Sequence, residues 1–219
     1  MPKKFFFMAS TNYTGKFIVF EGLDGSGAGT QSEILREKLM ANQHIIFLRY
    51  PSYNNPIGEL IYKCLKEKVP LQMESLFMLF ALDQTKDNEK IKSALGSGKI
   101  VLADRYFTSN IAYQCAKGFD LEKALKIGEL LQLPQPDLII LLKVSPETSV
   151  QRKIKEKRNL DMNEENLQLQ KKVQGMYEKL ISKNIFAKEW IAVDAEKSID
   201  EVAANVEKIV TERLNSKPA

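Results

Sequence analysis

The sequence predicts an α/β protein built on a parallel β-sheet of about five strands with helices on both faces. Short runs of β-branched and aromatic residues recur along the chain and alternate with longer stretches of helical spacing. The strand-like runs are apolar throughout, a pattern typical of strands covered on both faces. Neither a repeat nor a low-complexity segment interrupts this alternation.

The apolar runs and the helical stretches give an ordered set of predicted elements. The predicted strands are Phe17–Phe20, Ile45–Arg49, Ile100–Ala103, Leu138–Leu142 and Ile191–Val193. The predicted helices are Gln31–Asn42, Ile57–Lys66, one long helix over Glu74–Leu95, one from Ser109, Leu121–Leu131, one from Ser145 and Ile199–Arg213. Since ligands bind beyond the carboxyl ends of parallel strands, the functional residues are expected just after the strands.

Composition limits the classes of function. The 219 residues are 44% hydrophobic and 27% charged, which suits one globular domain, predicted over residues 15–219 after a flexible leader at 1–14. A net charge of +4 is too small to indicate a nucleic-acid partner, and no apolar run is long enough to span a membrane. The two cysteines, Cys64 and Cys115, indicate neither a disulfide scaffold nor a zinc site. A reducing compartment is the simpler interpretation, so a cytoplasmic protein is expected. His44, the single histidine, is predicted to be buried in a strand.

A glycine-rich loop follows the first predicted strand and precedes a helix, as in a phosphate cradle. Its candidate nucleotide-binding residues are Gly22, Gly25, Ser26, Gly27, Ala28, Gly29 and Thr30. The P-loop pattern is G-x-x-x-x-G-K-[ST]; Ala28 stands in place of the lysine and Gly29 in place of the metal-binding hydroxyl. A tight strand–helix turn without nucleotide is an equally good interpretation of this loop alone.

Charged residues follow two other predicted strands. Asp104 ends the third strand, where a carboxylate can hold a metal ion or its water. Arg105 comes next, and its planar guanidinium suits bidentate binding of phosphate. Arg49 occupies the matching position at the end of the second strand. This edge is therefore predicted to bind phosphate.

Four stretches of the chain, in order, resemble the signatures of the thymidylate kinase family. They are Phe20–Gly27 with Thr30 and Gln31, Arg49–Tyr53 with Gly58, Asp104–Gln114, which reads DRYFTSNIAYQ, and Leu133–Leu138. A weaker match covers Arg158–Asp161 with Glu164, where that family has its lid. The resemblance spans about residues 16–212 and implies a P-loop NTPase fold with a short lid at about 151–160.

The resemblance implies transfer of the γ-phosphoryl group of ATP to dTMP, in dTTP synthesis, with Mg²⁺ as cofactor and a homodimeric assembly. Arg105, Arg49 and Tyr53 then match residues that bind the acceptor phosphate. Asp24 matches a carboxylate that positions the acceptor and its magnesium, and Asp104 is the other metal candidate. In this hypothesis Asp24 and Arg105 are also two of the four candidate catalytic residues.

Further residues match the family's pocket for the base and the sugar. Phe80 matches an aromatic residue that stacks on the base, although a core phenylalanine is an alternative. Asn110 matches a residue that reads the pyrimidine N3 edge, and Tyr113 matches a tyrosine that crowds the sugar 2′ position. Gln114 ends the same signature and is assigned to substrate binding. Gln84 replaces an arginine, and because an amide can donate or accept, the choice of thymine over cytosine stays open.

Loss of the loop lysine removes a charge that would hold the donor phosphates. One such contact is worth roughly 2–4 kcal/mol in the transition state. Basic residues crowd the presumed lid, and we expect Arg158, with Arg152, to supply the missing charge as the other two catalytic residues.

Three functions therefore remain open, all with small-molecule nucleotides as partners. The first is a dTMP kinase. The second is a kinase for another pyrimidine monophosphate such as dUMP, dCMP or CMP. The third is a catalytically silent nucleotide-binding regulator.

Overall fold

A fully parallel sheet forms the centre of the protein. The computed structural model describes residues 13–41, 44–67, 69–156, 163 and 166–215. In these ranges the sheet has five strands, β1 (Lys16–Gly22), β2 (Ile45–Arg49), β3 (Ile100–Asp104), β4 (Leu138–Lys143) and β5 (Glu189–Asp194). Their order across the sheet is β2-β3-β1-β4-β5, and every neighbouring pair is parallel. The predicted fold class is confirmed.

Helices connect the strands and cover the sheet, which explains why β1, β3 and β4 are almost wholly buried. They are α1 (Ala28–Met40), α2 (Pro56–Lys66), α3 (Met73–Thr85), α4 (Asn88–Gly96), α5 (Phe107–Ala116), α6 (Leu121–Leu130), α7 (Pro146–Glu156), α8 (Leu167–Ser182) and α9 (Ile199–Asn215). Among the residues described, no helix is both long enough and apolar enough to cross a bilayer.

The prediction of a single helix over Glu74–Leu95 is wrong. Helix α3 ends at Thr85, and α4 begins at Asn88. At the break, Asp87 accepts a hydrogen bond from the Tyr50 hydroxyl at 2.8 Å, and Asn88 donates to the Leu131 carbonyl at 3.0 Å. These tertiary bonds compete with helix continuation, because short polar side chains also favour helix ends.

The prediction for His44 is also wrong. His44 is exposed and precedes β2, which is an edge strand and only partly buried. An edge strand pairs with another strand on one side only and is therefore less buried than a central strand. A continuous apolar run does not show which of the two kinds of strand it will form. Of the predicted leader, residues 1–12 lie outside the described residues, and Tyr13 packs against the core.

The strand register places the predicted functional residues together. Asp104 is the register partner of Phe20 on one side and of Arg49 on the other. The glycine-rich loop leaves β1 two residues beyond Phe20. The loop, Arg49 and Asp104 therefore meet at the carboxyl ends of the strands. From β1 the chain first forms β2 and β3 on one side of the sheet and then β4 and β5 on the other, and ligands bind at such a switch point.

Candidate active site

A cleft of about 420 Å³ opens at this edge of the sheet. Its walls come from the glycine-rich loop, the ends of β2 and β3, and helices α3, α5 and α7. Most predicted site residues line it: Asp24, Gly25, Ser26, Gly27, Ala28, Gly29, Thr30, Arg49, Tyr53, Phe80, Gln84, Asp104, Arg105, Asn110, Tyr113 and Gln114.

The glycine-rich loop carries the chain from β1 into α1. A Cβ atom at Gly22 would lie 2.8 Å from the carbonyl oxygen of Leu142 on the neighbouring strand, so only glycine fits there. Gly27 directly precedes α1 with a φ of 92°, a conformation that glycine adopts without strain. The loop thus brings the N-terminus of α1 to the cleft, where its free N–H groups favour an anion.

Arg105 is held from three sides in the cleft. Its Nη1 donates to the Gly22 carbonyl at 3.0 Å and to Ser109 Oγ at 3.1 Å. Its Nη2 donates to Asp24 Oδ1 at 2.7 Å. A guanidinium has five N–H donors, so within the described chain two are left for a ligand. Burial disfavours the charge, but Asp24 and nearby groups outweigh it and raise the pKa of Arg105 above its usual value.

The backbone of Arg105 is strained, with a φ of 64°. A non-glycine residue in the left-handed region persists only where its surroundings fix it, and such strain concentrates at functional sites. Here the Arg105 N–H donates to the Phe20 carbonyl at 2.9 Å, and the side chain makes the three bonds above. The strain therefore aims the guanidinium into the cleft.

Asp104 and Arg49 form a second charged pair in the cleft. Arg49 Nε donates to Asp104 Oδ2 at 2.9 Å, and its Nη2 donates to Glu33 at 3.1 Å. Burial raises the pKa of the Asp104 carboxyl, although the neighbouring arginines favour its ionised form. A Cβ at Gly29 would lie 3.1 Å from Asp104 Oδ2, so a hydroxyl residue there would stand beside this carboxylate.

Glu21 is a site residue that sequence reasoning missed. Its carboxylate is fully buried on β1 and accepts from the backbone N–H groups of Tyr106 and Ser109, both at 3.1 Å. The hydroxyls of Thr108, Ser109 and Tyr177 also donate to it. Glu21 therefore caps α5 from another element and fixes the chain on both sides of Arg105. A carboxylate inside an otherwise apolar strand was the available signal.

Three buried amide side chains, those of Gln84, Asn110 and Gln114, line the cleft. Each has a carbonyl oxygen with no hydrogen-bond partner in the part of the chain that is described. The orientation of Asn110 is fixed, because its Nδ2 donates at 3.0 Å to the Phe77 carbonyl, which can only accept. Asn110 Oδ1 is thereby left as a buried acceptor.

The aromatic residues of the cleft separate into wall and core. Phe80 is half-buried and lines the cleft. Phe77 instead is fully buried and stacks on Phe119 with ring centroids 4.2 Å apart. This position supports the stacking hypothesis for Phe80 over a core role. The Tyr113 hydroxyl accepts from the Asp24 N–H at 3.2 Å, and the ring lies 5.6 Å from the Arg105 guanidinium carbon.

Only one of the two arginines proposed for the donor side, Arg152, can be compared with the cleft. Arg152 does not line it; its guanidinium donates to the carbonyls of Gly25 at 3.4 Å and Ala195 at 2.9 Å. Arg158, like the other residues from 157 to 160 of the predicted lid, lies outside the described residues. Lys153 and Glu156 of α7, which were given no role from the sequence, do line the cleft.

Together the fold and the cleft define the class of protein. A loop shaped for the phosphates of one nucleotide shares the cleft with a partly buried arginine, which within the described chain has N–H groups left for another phosphate. Because phosphoryl transfer depends mainly on alignment and charge neutralisation, this arrangement suits transfer between two nucleotides. The protein is a phosphotransferase of the nucleoside-monophosphate kinase class.

The chain belongs to the thymidylate kinase family, whose sequence model matches residues 20–206. It is 34% identical to a probable thymidylate kinase of Pyrococcus horikoshii over 208 residues, covering 91% of this chain and 98% of the relative. It is 32% identical to the thymidylate kinase of Plasmodium falciparum, with 93% of each chain covered. The solved thymidylate kinase of Candida albicans superposes with a TM-score of 0.74 at 27% identity, covering 91% of this chain and 92% of that one. The predicted family is confirmed.

Proposed function

We propose that the protein transfers the γ-phosphoryl group of ATP to dTMP, giving dTDP and ADP. The observation that carries the proposal is the partly buried Arg105 clamp in the cleft, because the described chain fixes three of its N–H groups and leaves two for a ligand. Arg49 and Tyr53 line the same cleft and are the further acceptor-phosphate residues. A fixed acceptor phosphate is already anionic, so its oxygen can attack without a proton-abstracting base.

The base specificity follows from Asn110. Thymine and uracil carry a hydrogen on N3, whereas N3 of cytosine is an acceptor. Since Asn110 Oδ1 is a buried acceptor with no partner among the described residues, it matches a base with an N3–H and repels cytosine. Because Asn110 distinguishes thymine from cytosine, Gln84 does not need to do so, and it can present either the oxygen or the NH2 group of its amide to the base.

We expect Asn110→Ala to lower kcat/KM for dTMP by about ten- to hundredfold, because one buried hydrogen bond to the base is lost. The kcat/KM for dCMP should change little, so the ratio of kcat/KM for dTMP to kcat/KM for dCMP should fall. Steady-state kinetics with both nucleotides measures this ratio.

Asn88→Ala is the matched control for this substitution. Asn88 is also a buried amide that donates to a backbone carbonyl and has an unpartnered Oδ1 in the described chain, but it lies outside the cleft. Both variants remove a similar side chain, so both should lose similar stability. An equal effect of the two variants on the dTMP-to-dCMP ratio would contradict the role of Asn110.

The cleft residues fit a magnesium ion. Among the described residues no group of three or more acidic, histidine or cysteine side chains could form a complete metal site. Mg²⁺ commonly takes one or two carboxylates and completes its shell with waters and substrate phosphates. Asp104 and Asp24, which both line the cleft, are the carboxylates that would hold it. When bound, Mg²⁺ neutralises charge on the transferring phosphate.

A coupled ADP-release assay with dTMP, dUMP, dCMP and CMP tests the function. Preferred turnover of dTMP supports the proposal. Preference for a cytosine nucleotide would instead indicate a kinase for another pyrimidine monophosphate, the possibility raised by Gln84. Nucleotide binding without turnover would indicate a silent regulator, the possibility raised by Ala28 and Gly29.

The proposal includes a homodimer in the cytoplasm. Helix α3 is apolar around most of its surface, and its Met78 and Leu82, one turn apart, are 36% and 44% exposed. Leu60 and Tyr62 on the adjacent α2 are exposed as well. An exposed apolar face of this kind is typical of a protein–protein interface, and a second copy of the chain is the proposed occupant.

Leu82→Glu is expected to convert the dimer to a monomer, because it places a charge in the apolar interface. Ile199→Glu is the control, since Ile199 is 59% exposed at the start of α9 and an acidic residue is favourable there. Sedimentation velocity should show a loss of mass for the first variant only. Unchanged mass of the Leu82→Glu protein would rule out this face.

A further inference from the structure

The inner face of α7 lies directly on the glycine-rich loop. Ser149, Arg152, Lys153 and Glu156 share this face, because their spacing corresponds to successive helical turns. The Ser149 hydroxyl donates to the Asp24 carbonyl at 2.5 Å. A Cβ atom at Gly25 would lie 2.7 Å from the Ser149 carbonyl oxygen and 3.3 Å from Lys153 Cγ. The stem of Lys153 therefore passes against the loop itself.

Lys153 is the basic residue of this face that reaches the cleft. It lines the cleft together with the loop residues from Gly25 to Thr30, and its side chain is 15% exposed. Its ammonium lies 2.9 Å from Glu156 Oε2, and Glu156 also lines the cleft. The Arg152 guanidinium, by contrast, donates to the carbonyl of Gly25 in the loop and to that of Ala195 after β5.

We propose that Lys153 replaces the missing loop lysine and binds the β- and γ-phosphates of ATP. The proposal rests on the proposed function, which places ATP on the glycine-rich loop. A lysine carries a compact charge on a flexible stem, so it can approach the phosphates from α7 instead of from the loop. Glu156 holds the ammonium at the cleft, and in the proposal the ammonium donates to the phosphates when ATP is bound.

Lys153→Met is the direct test, with Lys155→Met as the control. Lys155 lies on the same helix and loses the same charge, but it is exposed and does not line the cleft. At saturating dTMP, Lys153→Met should lower kcat/KM for ATP by about 10²–10³-fold, the effect of deleting one transition-state donor. Lys155→Met should stay within about threefold of the wild type. Thermal unfolding of both variants checks that the fold is retained.

A ligand series separates phosphate binding from a structural role. Lys153→Met should weaken binding of ATP and ADP by about tenfold or more and leave binding of adenosine unchanged, because adenosine has no phosphate. Isothermal titration calorimetry measures the three dissociation constants. Ala28→Lys in the Lys153→Met background should recover activity, since it returns a lysine to the loop.

Two failures are distinguishable. If the wild type turns over none of the pyrimidine monophosphates, the proposed function is wrong, yet the calorimetry still decides whether Lys153 binds the donor phosphates. If Lys153→Met matches Lys155→Met in both kinetics and ATP affinity, the inference about Lys153 is wrong, whatever the substrate proves to be.

Discussion

Replacing Arg105 with methionine is expected to lower kcat/KM for dTMP by about 10²–10³-fold. Gly22, Ser109 and Asp24 hold Arg105 in place, and in the proposed function its two remaining N–H groups bind the acceptor. The substitution removes the phosphate clamp and leaves the Asp24 carboxylate without its cation, so that it repels the acceptor phosphate. Steady-state kinetics with dTMP as the varied substrate measures the loss.

Two variants define what the loss means. Arg105→Lys keeps the charge but loses the planar fork, so it should recover only part of the activity. Arg213→Met removes an arginine that pairs with Glu189 outside the cleft, and it should leave kcat/KM nearly unchanged. If Arg105→Met turned over dTMP within about threefold of the wild type, the clamp would not bind the acceptor phosphate.

Glu21→Leu is expected to reduce the free energy of unfolding by about 3–5 kcal/mol. The substitution leaves the Tyr106 N–H and the Thr108 hydroxyl buried without the acceptor that they have in the described chain. Such a loss is a large part of the roughly 5–15 kcal/mol that holds an ordinary domain folded. Urea unfolding followed by circular dichroism measures it. A change below about 1 kcal/mol would show that the carboxylate does not hold α5 in place.

Glu21→Gln is the matched control, because an amide retains the shape and one carbonyl acceptor while removing the charge. Burial raises the pKa of the Glu21 carboxyl above its ordinary value of 4.5, although Arg105 and the hydrogen-bonding hydroxyls oppose the shift. The fold therefore favours the protonated carboxyl group of Glu21. The stability that this protonated group contributes is present below the unfolded-state pKa and is lost as the pH rises through the folded-state pKa. The stability of the wild type relative to Glu21→Gln should fall as the pH is raised above 4.5.

The sequence was most informative at positions where only one type of residue can meet a local requirement of the backbone or of the site. The Asp104–Gln114 stretch predicted the acceptor side, and the structure brings Asp104, Arg105 and Asn110 into one cleft. It was least informative where two polar residues could either continue a helix or bind elsewhere. The break between α3 and α4 depends on Tyr50 and Leu131, which are distant in sequence from Asp87 and Asn88.

By itself the sequence determined the parallel α/β fold, the family and the absence of a lysine at Ala28. These properties follow from apolar periodicity and from residue types at fixed spacing, both of which are local. Only the tertiary structure decided which end of the Asn110 amide is left as an acceptor and which basic residue of α7 lines the cleft. Both depend on partners that the fold brings together, the Phe77 carbonyl in the first case and the Gly25 backbone in the second.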